Sequence, residues 1–548
     1  MTDEVAVNVL CAVKGVREGD MKGFNALATL LNKADKDTLC SYVIGLQKSI
    51  QFINKDHETI VGIILNIDWS LLEQSTVNIV IEFLVELVSA KTYFLKPCVN
   101  SLLKQFVSKS QVCEDELIRL NDKFRNIHAT LEAIVHLIPI ANQVIIDNVT
   151  MLFPYIGKGL FILETYIVNI LQISTYAKDT RYRILSLIID KLLSIDVRIP
   201  RQKLESNEDE EFLQFEDKID TSRSNGMPVL MEDIAKLDQL MVIVFTYINS
   251  LCHHNGSLDM NYAEVFFKEL LLIYDGVILQ TQQSTHVQFV LFYTASFHQK
   301  FCEEFIGVCW SILENPNKAS ITRRAASSYL SSFIARANFV HKPVIKTQIF
   351  NLARWIHRYL DIQNSTNIIA DFNKHGPFYG VCQALLYIFI YHHKIFIQSD
   401  ADIDFIKSLN FARIITSKLN PLKFCLNTIV SMFARVTRIY EIVFCYSVIE
   451  RNNRSMLSEF THTNGGVHKH LEIFFPFDPY MLPNSLKFIK PVYLEWTGTI
   501  DESDSDDDSA DEGNLNDESV EQRWLTHASV SIDMKCVSPG FSLLHNEM

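Results

Sequence analysis

Turn-forming residues are scarce in this 548-residue chain: glycine occurs 18 times and proline 14 times, well under the average shares of about 7% and 5%. A large all-β protein needs those residues at its many tight turns, so the shortage excludes that class and favours long helices. Eleven cysteines are present, but no two form a CxxC pair and the nearest two are Cys302 and Cys309. That spacing spells out neither a zinc site nor a disulfide framework, and the thiols read as reduced and buried in an intracellular protein. No apolar run reaches the ~18 residues that span a bilayer. The opening stretch MTDEVAVNVL has no basic segment followed by an apolar block, so the expectation is a soluble chain without a membrane or secretory address. GxxxxGK[ST], GxGxxG, HExxH and GxSxG are all missing, which removes the common ways of cradling a triphosphate, holding a catalytic zinc or presenting a nucleophilic serine. No enzymatic activity, cofactor or small-molecule substrate is expected.

Periodicity supports the helices. Val77, Val80, Ile81, Leu84 and Val88 follow i, i+3, i+4, i+7 and i+11, with Asn78, Glu82 and Glu86 on the other face, the pattern of an amphipathic helix. Leu131, Ile134, Val135 and Ile138 repeat it before Pro139, and Ile184, Ile188, Leu192 and Ile195 before Pro200. Leu426, Ile429, Val430 and Phe433 do so again, with Asn427, Ser431, Arg435 and Arg438 opposite. Prolines 316, 343, 377 and 421 punctuate these runs without a fixed period. The fold class expected is all-α, a HEAT-like α-solenoid of antiparallel helix pairs with acidic insertions; an irregular all-helical globule is the alternative.

Charge is unevenly spread. The net charge of -14 sits in two blocks: ESNEDEEFLQFEDK (205–218) has seven acidic residues and one lysine, and DESDSDDDSADEGNLNDESVE (501–521) has eleven acidic residues and no base. Setting those eighteen acids and one lysine aside from the 64 and 50 of the chain leaves 46 acidic against 49 basic. Like-charged blocks with few apolar residues do not repay the entropy of ordering. The division expected is therefore residues 1–200 as N-terminal helical repeats, 201–230 as an acidic disordered loop, 231–498 as C-terminal repeats with a basic face, and 499–548 as an acidic tail. The tail is no calcium loop: Asp504, Asp506 and Asp508 alternate correctly, but Ser509 and Leu515 stand where a glycine and a bidentate glutamate are required. Ser206, Ser503, Ser505 and Ser509 each have an acid three residues on, the context an acidophilic kinase reads, and are candidate phosphorylation sites.

Two stretches carry bases and no acid. Residues 315–360 hold Lys318, Arg323, Arg324, Arg336, Lys342, Lys346, Arg354 and Arg358; residues 405–440 hold Lys407, Arg413, Lys418, Lys423, Arg435 and Arg438. A solvated face mixes signs, so this excess predicts an anionic partner. Arg323, Arg324, Arg336, Lys342 and Lys346 are expected on one exposed face with Arg435 and Arg438. The alternative is a basic face that only holds the protein's own acidic loop. Downstream, FCYSVIERNNR (444–454) reads locally as a helix stop, because cations and asparagine are favoured where a helix ends. His462, His468 and His470 in HTNGGVHKH lack a nearby Cys or carboxylate and read as a surface loop rather than a metal site. The pairs His253-His254 and His392-His393 read as ordinary histidines at helix edges.

The segments HGPFYGVCQALLYIFIYHHK (375–394), LNPLKFCLNTIVSMFARVTRIYEIVFCYSVIERNNR (419–454) and FFPFDPYMLPNSLKFIKPVY (474–493) resemble the core of the RNA polymerase I-specific transcription initiation factor family, the recruitment factors of the initiation factor IA type. HVQFVLFYTASF (286–297), AASSYLSSFIARANFV (325–340) and RILSLIIDKLLSIDV (183–197) extend the likeness to roughly residues 100–495. The resemblance implies a HEAT-repeat protein without enzymatic activity, in the nucleus and nucleolus. One surface would hold a stalk subunit of RNA polymerase I; another would meet the promoter-bound core factor and ribosomal DNA. It also implies a polymerase-docking serine patch, for which Ser108 and Ser110 are the nearest matches, and marks Glu450, Arg451, Asn452, Asn453 and Arg454 as a family signature. The acidic loop is short and only Ser538-Pro539 remains of a proline-rich tail, which argues against proline-directed kinases. A nuclear transport receptor or other helical-repeat scaffold is the alternative, separable by binding to a Ran-like GTPase.

Overall fold

The computed structural model describes residues 2–33, 36–69, 72–107, 114–199, 227–363, 369–462, 471 and 475–496. The chain divides into two compact units, Met1–Ile195 with Gly226–Tyr247 and Asp196–Asn225 with Ile248–Met548. The division falls between Tyr247 and Ile248, inside the helix Met227–Cys252. Among the described residues the only strands are His253–His254 and Ser257–Leu258, paired antiparallel. The histidines expected at a helix edge thus open a two-residue hairpin.

The first unit is a stack of antiparallel helices: α1 Thr2–Glu18, α2 Met21–Lys33, α3 Lys36–Lys48, α4 Glu58–Leu65, α5 Gln74–Ala90, α6 Leu95–Lys104, α7 Glu114–Leu137, α8 Ala141–Leu152, α9 Leu160–Tyr176 and α10 Arg181–Asp196. Turns are short: α1 ends at Gly19, whose φ of 86° only a residue without Cβ adopts freely, and α2 starts two residues later. Packing runs along two rows, α1 on α3 on α5 on α7 on α9, and α2 on α4 on α6 on α8. A stack of helix pairs produces that alternation, since each pair can bury its apolar stripe only against the next pair. In α5, Val77, Val80, Leu84 and Val88 are buried while Asn78, Glu82 and Glu86 are exposed, as the 3.6-residue period requires. In α10, Ile184, Ile188, Leu192 and Ile195 are buried, each contributing about 1.5–3 kcal/mol. Polar groups enter this interior where they find partners: buried His128 on α7 bonds Asn169 and the Tyr176 hydroxyl at 3.0 Å each and stacks on Phe106. Burial pushes its pKa down to about 4.

After α11 (Met227–Cys252), the second unit continues with α12 Met260–Ile273, α13 Phe289–Ala295, α14 Gln299–Glu314, α15 Ser320–Arg336, α16 Lys342–Ile362, α17 Phe372–His392, α18 Asp400–Ser408, α19 Phe411–Ile415, α20 Asn427–Ile439, α21 Tyr446–His462 and α22 Leu486–Ile489. Helix α17 is its axis: every residue from Phe378 to Ile390 is buried, and α15, α16 and α20 pack around it. A stretch that is apolar on every side but for Gln383, whose Oε1 accepts from the Leu426 N–H at 2.9 Å, belongs there because it has no face to give to water. It breaks at His375 (φ -110°, ψ 18°), two residues before Pro377, whose ring and missing N–H forbid a continuous helix. α15 approaches closely: a Cβ on Gly380 would lie 2.8 Å from the Ser327 Oγ, so the serines and alanines of AASSYLSSFIAR are there for their size.

A segment from Phe475 to Trp496 then straps across this unit. Phe477 inserts its ring among Phe289, Phe292, Tyr329 and Phe333, with centroids 5.1–5.9 Å away. Its N–H donates to Ser332 Oγ at 2.9 Å and its carbonyl accepts from the Tyr493 hydroxyl at 2.9 Å. The Asn338 N–H donates to the Val492 carbonyl at 3.2 Å and the Leu494 N–H to the Arg336 carbonyl at 2.6 Å.

Candidate partner-binding surface

The bases of the two acid-free stretches fall into quite different surroundings. Lys318 on the approach to α15 is held by Asp275 at 2.8 Å. Arg323 is half-buried and donates from Nε to the Leu313 carbonyl at 2.7 Å; desolvation lowers its pKa. Arg324 lies over the Phe372 ring, 4.9 Å from its centroid. Lys342 and Lys346, one turn apart at the start of α16, converge on Asp402 of α18. The bonds from Lys346 and Ser399 hold that carboxyl down at about 2. Arg438 is exposed over the Tyr446 ring at 5.7 Å, beside the exposed Phe444. Arg435 is half-buried on the same helix, α20.

Arg336 departs from expectation. Instead of lying on the exposed face, it ends α15 with 0% exposure. Its Nη2 donates to Asp478 Oδ1 at 3.0 Å, and its guanidinium lies 4.8 Å and 5.3 Å from the Tyr391 and Tyr493 centroids. Tyr387 adds a bond to the same Asp478 oxygen at 3.3 Å. The reason is local: the strap brings the Asp478 carboxylate and the Tyr493 ring, and α17 the Tyr391 ring, which together make a buried guanidinium tolerable. Arg336 therefore fastens the strap and is not on the exposed face.

ERNNR is likewise corrected. Glu450–Arg454 lies within α21 and ends no helix; the apolar stretch before it runs from the turn after α20, where Glu441 takes a φ of 51°, into the first turn of α21. Arg454 pairs with Glu450 one turn back, an exposed i,i+4 pair. Asn452 is buried, and its amide exchanges two hydrogen bonds with that of Asn420, at 2.6 and 3.2 Å. Asn420 itself sits at φ 46°, a left-handed conformation asparagine tolerates. The signature thus locks the turn before α20 onto α21, with Arg451 left exposed.

Other candidates fall elsewhere. Ser108, Ser110, Ser206, Ser503, Ser505 and Ser509 lie outside the described residues, as do His468 and His470 and both acidic blocks. Among the described residues no three His, Cys, Asp or Glu side chains are placed to hold a metal ion. His392 and His393 are buried, bonding the Ile334 and Ile390 carbonyls, and burial brings His392 to about 4. A fully buried pair, Asp196 and His286 at 3.0 Å, has no signal in the sequence. Asp196 also accepts the N–H groups of Thr285, His286 and Val287 at 2.9–3.1 Å, so it caps a turn. Cys98, Cys252, Cys302, Cys309, Cys382, Cys425 and Cys445 are buried free thiols.

Stacked helices joined by buried polar clasps define an all-α, solenoid-like protein, the architecture read from periodicity. Comparison with known proteins supplies the particular family. The family described as RNA polymerase I specific transcription initiation factor RRN3 matches residues 1–500. The mouse RNA polymerase I-specific transcription initiation factor RRN3 is 34% identical over 520 residues, covering 88% of this chain and 79% of that protein. The Schizosaccharomyces pombe factor rrn3 is 25% identical over 504 residues, covering 84% and 81%. A crystal structure of RNA polymerase I transcription initiation factor Rrn3 superposes with a TM-score of 0.71 at 23% identity, over 90% of this chain and 99% of that one, which establishes the shared fold. The chain belongs to the RNA polymerase I-specific transcription initiation factor family, whose role is initiation and not enzymatic catalysis.

Proposed function

We propose that this protein binds RNA polymerase I and bridges it to the promoter-bound core factor at ribosomal RNA genes, in the nucleus and its nucleolus. The observation that carries this is the family match across residues 1–500, which takes in both units. Polymerase docking is assigned to the first unit, by its stalk-facing surface, with Ser108 and Ser110 as the docking serines whose phosphorylation blocks it. Promoter-side contact, with the core factor and with ribosomal DNA, is assigned to Arg323, Arg324, Lys342, Lys346, Arg435 and Arg438; Arg336 no longer belongs to that set. Ser206, Ser503, Ser505 and Ser509 are the regulatory phosphorylation sites.

Affinity purification of the tagged protein from cells tests the central claim: the large polymerase I subunits should co-elute, and their absence overturns it. Replacing Arg324 and Arg438 by alanine should weaken promoter-side binding and leave polymerase binding intact. If DNA is the partner, the salt slope should fall by about one unit for each phosphate that the variant no longer neutralises. Equal weakening towards both partners in a folded variant would show that the surfaces are wrongly divided.

A further inference from the structure

Two arginines of the first acid-free stretch remain. Arg354 and Arg358 are exposed on consecutive turns of α16, and neither has a carboxylate partner among the described residues. With Asn351 and Trp355 they occupy i, i+3, i+4 and i+7, one helical face. Opposite stand Trp310 and Glu314 near the end of α14, and the six residues line an open pocket of about 210 Å³.

The walls are held in place before any ligand arrives. The Trp310 Nε1–H donates to Gln348 Oε1 at 2.7 Å. Trp355 stacks on Tyr359 (5.4 Å, 17°), which stacks in turn on Phe378 of the central helix (5.1 Å, 24°) and bonds His375 Nδ1 at 2.8 Å. Arg354 Nη2 donates to Asn351 Oδ1 at 3.3 Å. Two half-buried indoles and two guanidiniums therefore share one recess, on an aromatic column running into the core.

We propose that this pocket binds a phosphorylated peptide. The phosphate of a phosphoserine or phosphothreonine sits between Arg354 and Arg358, and the ring of an adjoining proline or aromatic residue lies on the indoles. Cβ atoms four apart on a helix are about 6 Å from each other, so both guanidiniums reach one anion. A phosphate near -2, with three acceptor oxygens, accepts a fork from each, whereas a carboxylate offers two oxygens and a single charge. Glu314 on the facing wall repels a second negative charge. It thereby disfavours both a polyacidic peptide and a nucleic-acid strand, which carry charge at every position. The volume lies below the roughly 300 Å³ at which drug-sized ligand pockets begin, and suits one phosphate with one ring.

Fluorescence anisotropy on the full-length chain tests this, using a labelled peptide with a single phosphoserine-proline flanked by glycine and serine. The phosphorylated form is expected to bind at least tenfold tighter than its unphosphorylated or glutamate-substituted versions and to quench indole fluorescence. Arg354→Gln combined with Arg358→Gln should bring the two affinities together while leaving circular dichroism and the melting temperature unchanged, both side chains being exposed. Trp355→Leu should weaken the phosphopeptide and spare its preference over the unphosphorylated form. Equal binding of the two peptides, or a preference that survives the double glutamine variant, overturns the proposal. So does a single-stranded oligonucleotide that binds more tightly through the same arginines, or inorganic phosphate alone competing as well as the phosphopeptide.

Discussion

The first unit is held by helices two apart in sequence leaning on one another, and the second by residues that meet across more than 140 positions, as Arg336 and Asp478 do. In the first, loosening one helix leaves the rest of the row in place, because each pair has two neighbours. In the second, the strap closes a core built around one buried helix, and several aromatic and polar groups depend on it together. Stability is thus distributed in one unit and concentrated in the other. The difference teaches that the same kind of helix can belong to a modular stack or to an all-or-none assembly, according to what crosses it.

The sharpest way to break the comparison is Asp478→Ala. It leaves Arg336 buried without its carboxylate, and the expected cost is about 3–5 kcal/mol of second-unit stability. Urea unfolding followed by the fluorescence of Trp496, which packs on Tyr391, would measure it. Adding Arg336→Met should restore most of the loss, since an apolar pair of similar volume is often neutral.

Acid comes next, and it probes each unit by its own histidine. His128 and His392 are held neutral by burial, with pKa values near 4. Between pH 6.5 and pH 4 the unfolded chain takes up a proton that the folded chain refuses. Their contribution is complete above 6.5 and is lost as pH falls through that window, on the order of 3 kcal/mol each. Urea midpoints at pH 7.5 and pH 5 should fall less in His128→Gln and in His392→Gln than in the parent. An unchanged pH slope in both would overturn this assignment.

Smaller effects sharpen the contrast. Asn452→Ala strands the Asn420 amide against α21 and should cost about 1–3 kcal/mol, read from thermal melting. Ile188→Val, inside the first unit's stack, should cost only about 0.5–1.5 kcal/mol, and hydrogen exchange should show the weakening confined to α10 and its neighbours. Protection falling evenly over the whole first unit would mean that the rows are not modular.

Local pattern makes the first unit readable: the periods of Val77 to Val88 and Ile184 to Ile195 describe faces that pack as expected, because each stripe needs only its neighbours. The second unit is readable as helices but not as a site. Arg336 looks like Arg324 in the sequence; nothing nearby signals that Asp478 will arrive 142 residues later to bury it. ERNNR looks like a helix end because its composition suits one, and its buried Asn452 finds a partner at Asn420 that no local rule selects. Arg354 and Arg358 are visible in the acid-free stretch, and their i,i+4 spacing beside Trp355 is a signal that the sequence itself carries. Trp310 joins them only through the fold.

The strap also sets a clock. During synthesis, at about 5–20 residues per second, the paired rows of the first unit can close one after another as each helix leaves the ribosome. The second unit must wait with Arg336 and the pocket for Phe477 uncovered until residues 475–496 emerge. A nascent chain halted before Phe475 should carry a finished first unit and an open second one, and is the form of this protein most in need of a chaperone.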